Sequence, residues 1–166
     1  MYMIRSNPHT HTDYVDGKSP ARDMIKRALE LGFTSLGFSE HAYQPDIEPL
    51  YGLTDPNRKR HWFKEDGALI DCGKEAMRRM IRSCRVLEVN TGGMARSGQP
   101  CPYPVQPLLA FWRELGGQVI PSSDCHRAHQ LDAFFDIAPE YMRAAGFTEC
   151  LALGKGDRLF ETVSLI

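Results

Sequence analysis

Residues 19–39, SPARDMIKRALELGFTSLGFS, read as the second half of a β-α-β unit. Ser19 supplies an N-cap and Pro20 a first-turn proline, whose fixed φ suits the start of a helix. Ala21, Ile25, Ala28 and Leu29 then fall on one face of ARDMIKRALELG, and Gly32 closes the helix. The apolar run FTSLGFS, 33–39, has the length of a buried strand and stops at Glu40 and His41. Upstream, YMIRS at 2–6 is a strand candidate that ends just before NPHTHTDYVDGK.

The alternation returns downstream. A helix is expected at about 67–82, with Leu69, Cys72, Ala76 and Met80 at three- and four-residue spacing, then the strand RVLEVN at 85–90. A helix at about 105–115 and the strand QVIPSS at 118–123 follow. A last helix at about 131–145, kinked or begun by Pro139, leads to the strand TECLALG. Strands alternating with helices imply a parallel sheet or a β/α barrel in one α/β domain spanning residues 1–166. One stretch, 42–66, is polar, carries three prolines and shows no clear period. A structureless loop of that length is uncommon inside a compact domain.

Composition narrows the function classes. Lys and Arg total 20 against 21 for Asp and Glu, so no basic field invites nucleic acid and no polybasic patch invites a membrane surface. Five widely spaced cysteines form no Cys-x-x-Cys pair, which suits reduced thiols. The sequence MYMIRSNPHT lacks the apolar core of a signal peptide, and no apolar run reaches the length of a membrane span. A soluble cytoplasmic protein is expected.

The chemistry gathers at the carboxyl ends of the strands, where parallel α/β folds place their active sites. The first strand delivers His9, His11 and Asp16, and the second Glu40 and His41. RVLEVN delivers Asn90, Thr91, Gly92 and Gly93, and QVIPSS delivers Asp124 and His126. On extended backbone, residues i and i+2 share a side, so His9 with His11, and Asp124 with His126, can each grip one ion. Imidazole and carboxylate together suit zinc, manganese or iron. In EVNTGGMAR, 88–96, backbone N–H groups and the Arg96 guanidinium can meet a phosphate, though an ordinary glycine turn with an exposed arginine fits nearly as well. His61 and His129 read as surface histidines.

HTHTDYVDGK, FSEHA, LEVNTGGMAR followed by PYP, and GGQVIPSSDCHR followed by LDAFFD together resemble the motifs of the polymerase and histidinol phosphatase (PHP) superfamily, in its histidinol-phosphatase branch. The resemblance implies a distorted TIM-like barrel of seven β/α units, a centre of two or three divalent metal ions (zinc, manganese or iron), and hydrolysis of L-histidinol phosphate in histidine biosynthesis. Carried over by position, His9, His11 and Asp124 look like the ligands of one metal, and Asp16, His41 and His126 like those of another. Asp124, His126 and Glu40 are the expected catalytic set, and Arg96 the residue that holds the substrate phosphate. The family's bridging glutamate and two further histidines have no counterpart in this sequence. In the family about two strand-helix units separate SEHA from the helix before LEVNTGG, a distance that Leu53 to Trp62 span here. The barrel is therefore expected to be shortened to about five units, with Glu48, Glu65 or His61 as candidates to replace a lost ligand.

Three readings remain open at this level. The first is a metal-dependent phosphomonoesterase acting on a small phosphate ester. The second is an amidohydrolase-type metallohydrolase, against which stands the lack of a strand-end lysine to serve as a carboxylated bridge. The third is a shortened relative that binds metal without turnover, or that self-associates into a homo-oligomer through exposed sheet edges.

Overall fold

The computed structural model describes residues 4–41 and 67–166. The candidates Glu48, His61 and Glu65 lie outside the described residues, as do residues 2 and 3 of the first expected strand.

The fold is mixed α/β. In chain order it comprises β1 (Ser6–Asn7), α1 (Ala21–Glu30), β2 (Ser35–Leu36), α2 (Gly67–Met80), β3 (Val86–Asn90) and α3 (Gly92–Ser97). Then come α4 (Gln106–Glu114), β4 (Gln118–Ser122), a 3-10 turn at Ala128–Gln130, α5 (Ala138–Ala144), β5 (Glu149–Leu153) and β6 (Phe160–Ser164). β1 pairs with β2 in parallel, Ser6 opposite Ser35, and β3 with β4 in parallel, Val86 opposite Gln118 through Asn90 opposite Ser122. Packing contacts join β4 to β5 and β5 to β1, so the strands run β2, β1, β5, β4, β3 from neighbour to neighbour. Among the described residues no closed barrel forms.

Several elements differ from expectation for identifiable reasons. The first strand lies at Ser6–Asn7 and ladders with β2 only briefly, because Pro8 has no N–H to give. The parallel course still continues through Thr34 N–H to Arg5 O, Gly37 N–H to Asn7 O and Ser39 N–H to Thr10 O, at 2.8, 2.8 and 3.0 Å. Ser19 does not cap α1; its hydroxyl accepts from Ala128 N–H at 3.1 Å and ties that helix start to the 3-10 turn after β4. The helix expected over 131–145 is confined to Ala138–Ala144, since Phe134 takes a left-handed φ of 59° and Pro139 sits in the first turn. β6 answers β5 as an antiparallel hairpin that the sequence reading did not include. Its signals were present in the turn residues Gly154, Gly156 and Asp157 and the alternation of FETVS.

The helix faces also differ. In α1 the buried residues are Met24 and Ala28, whereas Ile25 and Leu29 are 47% and 71% exposed. In α2 the expected stripe of Leu69, Cys72, Ala76 and Met80 faces outward, and Met77 is buried. α2 docks on α4 through Gly73, where a Cβ would lie 2.9 Å from the Leu108 methyls, while Lys74 and Arg78 cover the Phe111 ring. Close helix approach at a glycine decides which face turns inward.

Two apolar clusters result. One gathers Val89, Val119, Leu109, Trp112 and Met142 between β3–β4 and α2, α4 and α5. The other gathers Met24, Ala28, Phe33, Leu131 and Phe135 under α1. Trp112 is fully buried and donates its indole N–H to Gln118 O at 2.9 Å, which fixes the α4–β4 connection. Leu109 is equally buried. Leu109→Ala is expected to destabilise the domain by about 3 kcal/mol, measured as a shift of the urea midpoint with an unchanged m-value.

Candidate metal centre

The strand ends converge as their sequence placement implied, and a layer of buried polar residues sets the convergence. Asn7, fully buried at the end of β1, donates from Nδ2 to Ser123 Oγ at 2.6 Å and to Leu131 O at 3.0 Å. Its Oδ1 accepts from His9 N–H at 3.2 Å and Ser123 N–H at 3.4 Å. Thr10 bridges Cys125 in parallel and donates its hydroxyl to Gly37 O at 2.7 Å. His11 N–H donates to Cys125 O at 3.0 Å, and Lys18 N–H to His126 O at 2.6 Å. The ends of β1, β2 and β4 are therefore locked together by main-chain and amide hydrogen bonds before any histidine makes a contact.

Two glycines allow this approach. A Cβ on Gly17 would fall 2.6 Å from Thr12 C and 2.7 Å from His11 C, so only glycine fits where the Asp13–Asp16 turn folds back on the histidine strand. A Cβ on Gly92 would meet Ser123 O at 2.6 Å and Asp124 Cβ at 2.9 Å.

Above that layer sit the side chains. His11 is 1% exposed and central: its ring stacks on His126 with centroids 4.3 Å apart and lies 4.5 Å from the His41 ring. On one side its Nε2 is 3.1 Å from Asp124 Oδ1 and 3.0 Å from His9 Nε2, which is itself 3.4 Å from Asp124 Oδ1. On the other side, Asp16 Oδ2 lies 3.0 Å from His126 Nε2 and 3.4 Å from His41 Nε2. Two groups of donors could each hold an ion: His9, His11 and Asp124, and His11, Asp16, His41 and His126. The six expected ligands are all brought together, with His11 common to both groups. His129 is exposed and belongs to neither group.

Asp124 adopts a left-handed φ of 44°, which an aspartate tolerates better than most residues and which turns its carboxylate back over the strand end. Arg96, on α3, donates from Nη2 to Asp124 Oδ2 at 2.6 Å and from Nη1 to Asp124 O, and Asn90 Nδ2 reaches the same Oδ2 at 3.2 Å. Burial pushes the Asp124 carboxyl up, but the hydrogen bonds from Arg96 and Asn90 and the guanidinium charge outweigh it and hold the group below the ordinary carboxylate value. Oδ2 is thus occupied, and Oδ1 is left facing the two histidines.

Glu88 was not picked out from the sequence. Its Oε1 is 2.8 Å from His9 Nδ1 and also accepts from Asn90 Nδ2 at 3.2 Å and from Ser122 Oγ. This bond raises the His9 pKa above the ordinary imidazole value, against the lowering effect of burial. With Nδ1–H committed to Glu88, the lone pair of His9 Nε2 is turned toward His11 and Asp124. The available signal was a carboxylate inside an otherwise apolar strand, VLEVN, where Val89 packs in the core and Glu88 and Asn90 share the opposite face. The His11 pKa is lowered, first by burial and then by the charge of His126.

These residues fit a metal. Among the described residues, four carboxylates (Asp16, Glu40, Glu88 and Asp124) surround four imidazoles, and the single guanidinium close to them is committed to Asp124. His11 Nδ1 and Asp16 Oδ1, 3.5 Å apart, are buried and have no hydrogen bond among the described residues. Mixed imidazole and carboxylate donors with unmet negative charge match a borderline divalent cation such as zinc, manganese or iron. The cysteines are not part of the set: all five are free, and burial pushes Cys125, beside Asp124 in the chain, up to about 11. No helix among the described residues is long and apolar enough to cross a membrane.

Comparison with known proteins agrees with this arrangement. The chain is 27% identical over 107 residues to a probable histidinol-phosphatase of Schizosaccharomyces pombe, an alignment that covers 64% of this chain and 35% of that protein. The chain thus matches about a third of the length of this curated relative. The family model for the PHP domain matches residues 7–91, just over half of the chain, from the residue that ties β1 to β4 through His9, His11, Asp16, His41 and Glu88. On that match, and with the donors of Asp124 and His126 folded back onto the matched segment, the chain belongs to the PHP domain family.

Proposed function

We propose that the protein is a metal-dependent phosphomonoesterase of the histidinol-phosphatase type, with L-histidinol phosphate as substrate. The observation that carries this reading is the convergence of two imidazole-carboxylate groups beside a guanidinium, at the edge where the β1, β2, β3 and β4 ends meet. His9, His11 and Asp124 would hold one divalent ion, and Asp16, His41 and His126 another. Bound there, such ions supply the chemistry of lowering the pKa of water and neutralising phosphoryl oxygens.

The chain's own residues do the rest. Glu88 fixes the tautomer of His9, and Asn90 with Arg96 fixes the orientation of Asp124. Arg96, whose Nη1 is 3.4 Å from His126 Nδ1, is placed to share a substrate phosphate between its guanidinium and the histidine edge. His126, partly exposed at that edge, keeps its Nδ1 3.0 Å from Asp124 O, which orients Nε2 toward Asp16. The fold is taken as a PHP-type barrel shortened to about five strand-helix units. A second reading, metal binding without turnover, is favoured by one observation: Arg96 is drawn onto Asp124 and would have to release one of those bonds to take a phosphate.

Protein reconstituted with manganese or zinc is expected to release inorganic phosphate from L-histidinol phosphate. A chelator should abolish the activity, and Asp124→Ala or His126→Ala should lower it by on the order of 100-fold or more. Metal uptake with no phosphate release above these variants would select the second reading. Glu88→Gln is expected to weaken metal binding about 10- to 100-fold in equilibrium dialysis. In the unsubstituted protein, protons compete for His9, whose pKa is raised, so metal affinity should fall as pH drops through that value.

A further inference from the structure

Gly92 and Gly93 open one face of α3 at two neighbouring positions. A Cβ on Gly92 would lie 2.6 Å from Arg96 Nη1, so the guanidinium folds back onto Asp124 across the space a side chain would take. A Cβ on Gly93 would collide with Gln99 Oε1 and lie 2.7 Å from Tyr103 Cε2. The Gln99 amide and the edge of the Tyr103 ring therefore pack on the short helix that carries Arg96. The backbone of Tyr103 is fixed as firmly: its N–H donates to Asn90 O and its carbonyl accepts from Asn90 N–H, both at 2.9 Å. Asn90 in turn shares Asp124 Oδ2 with Arg96.

Tyr103 is 40% exposed, so its ring is held in place while part of it stays open to a ligand. Burial pushes its phenol pKa up, and the positive charge of Arg96 and the hydrogen bond with Gln99 offset this only in part. The phenol therefore keeps its proton near neutral pH and offers an O–H donor in the field of the guanidinium. Gln99 Oε1 does not take that proton, because it is buried and accepts no hydrogen bond among the described residues. Two donors from different segments, the Arg96 guanidinium and the Tyr103 hydroxyl, thus border one region. An anion with several acceptor oxygens satisfies both at once, and a phosphoryl group is such an anion.

We propose that Tyr103 is a substrate-binding residue whose hydroxyl donates to the phosphoryl group beside Arg96. The inference rests on the reading of the site as a phosphomonoesterase and gives the tyrosine of PYP a role that the motif pattern left unassigned. It also lightens the demand on Arg96, which can keep its bond to Asp124 Oδ2 while Tyr103 takes one phosphoryl oxygen. The phosphoryl group is common to every ester the site could hydrolyse, so the contact serves all of them alike.

Tyr103→Phe keeps the ring on Gly93 and removes only the donor. Inorganic phosphate is titrated calorimetrically into the full chain, loaded with manganese and freed of excess metal. Manganese uptake and the thermal midpoint serve as controls for the metal centre and the fold. The expected result is a phosphate affinity lowered about tenfold, as for one hydrogen bond to a charged acceptor, with both controls unchanged. The KM for L-histidinol phosphate and for phenyl phosphate should rise by the same factor. Gln99→Met, which keeps bulk against Gly93 but cannot orient the phenol, should lower the affinity less and serves if the phenylalanine variant does not fold. Tyr103→Phe, or in its place Gln99→Met, binding phosphate like the unsubstituted protein would overturn the assignment of Tyr103 alone. A KM raised for L-histidinol phosphate only would overturn it too, since the hydroxyl would then meet the departing alcohol. An unsubstituted protein that binds phosphate but hydrolyses neither ester would overturn the phosphatase reading, and the phosphate affinities would still decide Tyr103. One that takes up manganese but no phosphate would overturn both.

Discussion

Negative charge at the strand ends is the constraint on which the site depends. Asp16, Glu40, Glu88 and Asp124 approach a stack of imidazoles centred on the enclosed His11, and among the described residues only Arg96 answers them with a permanent positive charge. Carboxylates at such separations repel one another unless a cation or a proton intervenes. The residues respond in two ways. Asp124 is held by Arg96 and Asn90, and Glu88 by His9, Asn90 and Ser122, whereas Asp16 and Glu40 each keep one buried oxygen without a hydrogen bond among the described residues.

The framework that tolerates this crowding is neutral and lies beneath it. Asn7, Thr10, Ser123 and Thr91 are buried polar residues whose hydrogen bonds cross from one strand end to the next. Thr91 donates to Ser122 O at 3.1 Å and Ala133 O at 2.7 Å, so the start of α3 is fixed to β4 and to the turn that follows it. With every amide and hydroxyl of that layer engaged, the histidine segment and the Asp124 turn have little freedom to relax away from each other. Pre-organisation of this kind lets a site keep unsatisfied atoms that a looser fold would hydrate.

Membership of the PHP domain family rests on residues 7–91, and the donors beyond that segment, Asp124 and His126, are brought in by parallel pairing of β3 with β4 and by the Thr10–Cys125 bridge. The family match and the spatial site thus overlap without coinciding.

By itself the sequence determined the mixed α/β class, the placement of β3, β4 and β5, and the set of residues delivered to the strand ends, because strand period and strand termini are local properties. His-x-His and Asp-x-His had to project to one side of their extended segments wherever those segments ran. Which apolar face of α1 and α2 turned inward was not local: two stripes competed in each helix, and the close approach of α2 to α4 at Gly73 chose the one containing Met77. Tertiary structure also decided the partners of Glu88, the turning of Arg96 onto Asp124 and the meeting of Glu40 with His11, since each joins segments far apart in the chain. Hydrogen bonds across such separations are set by packing geometry, which no local pattern encodes.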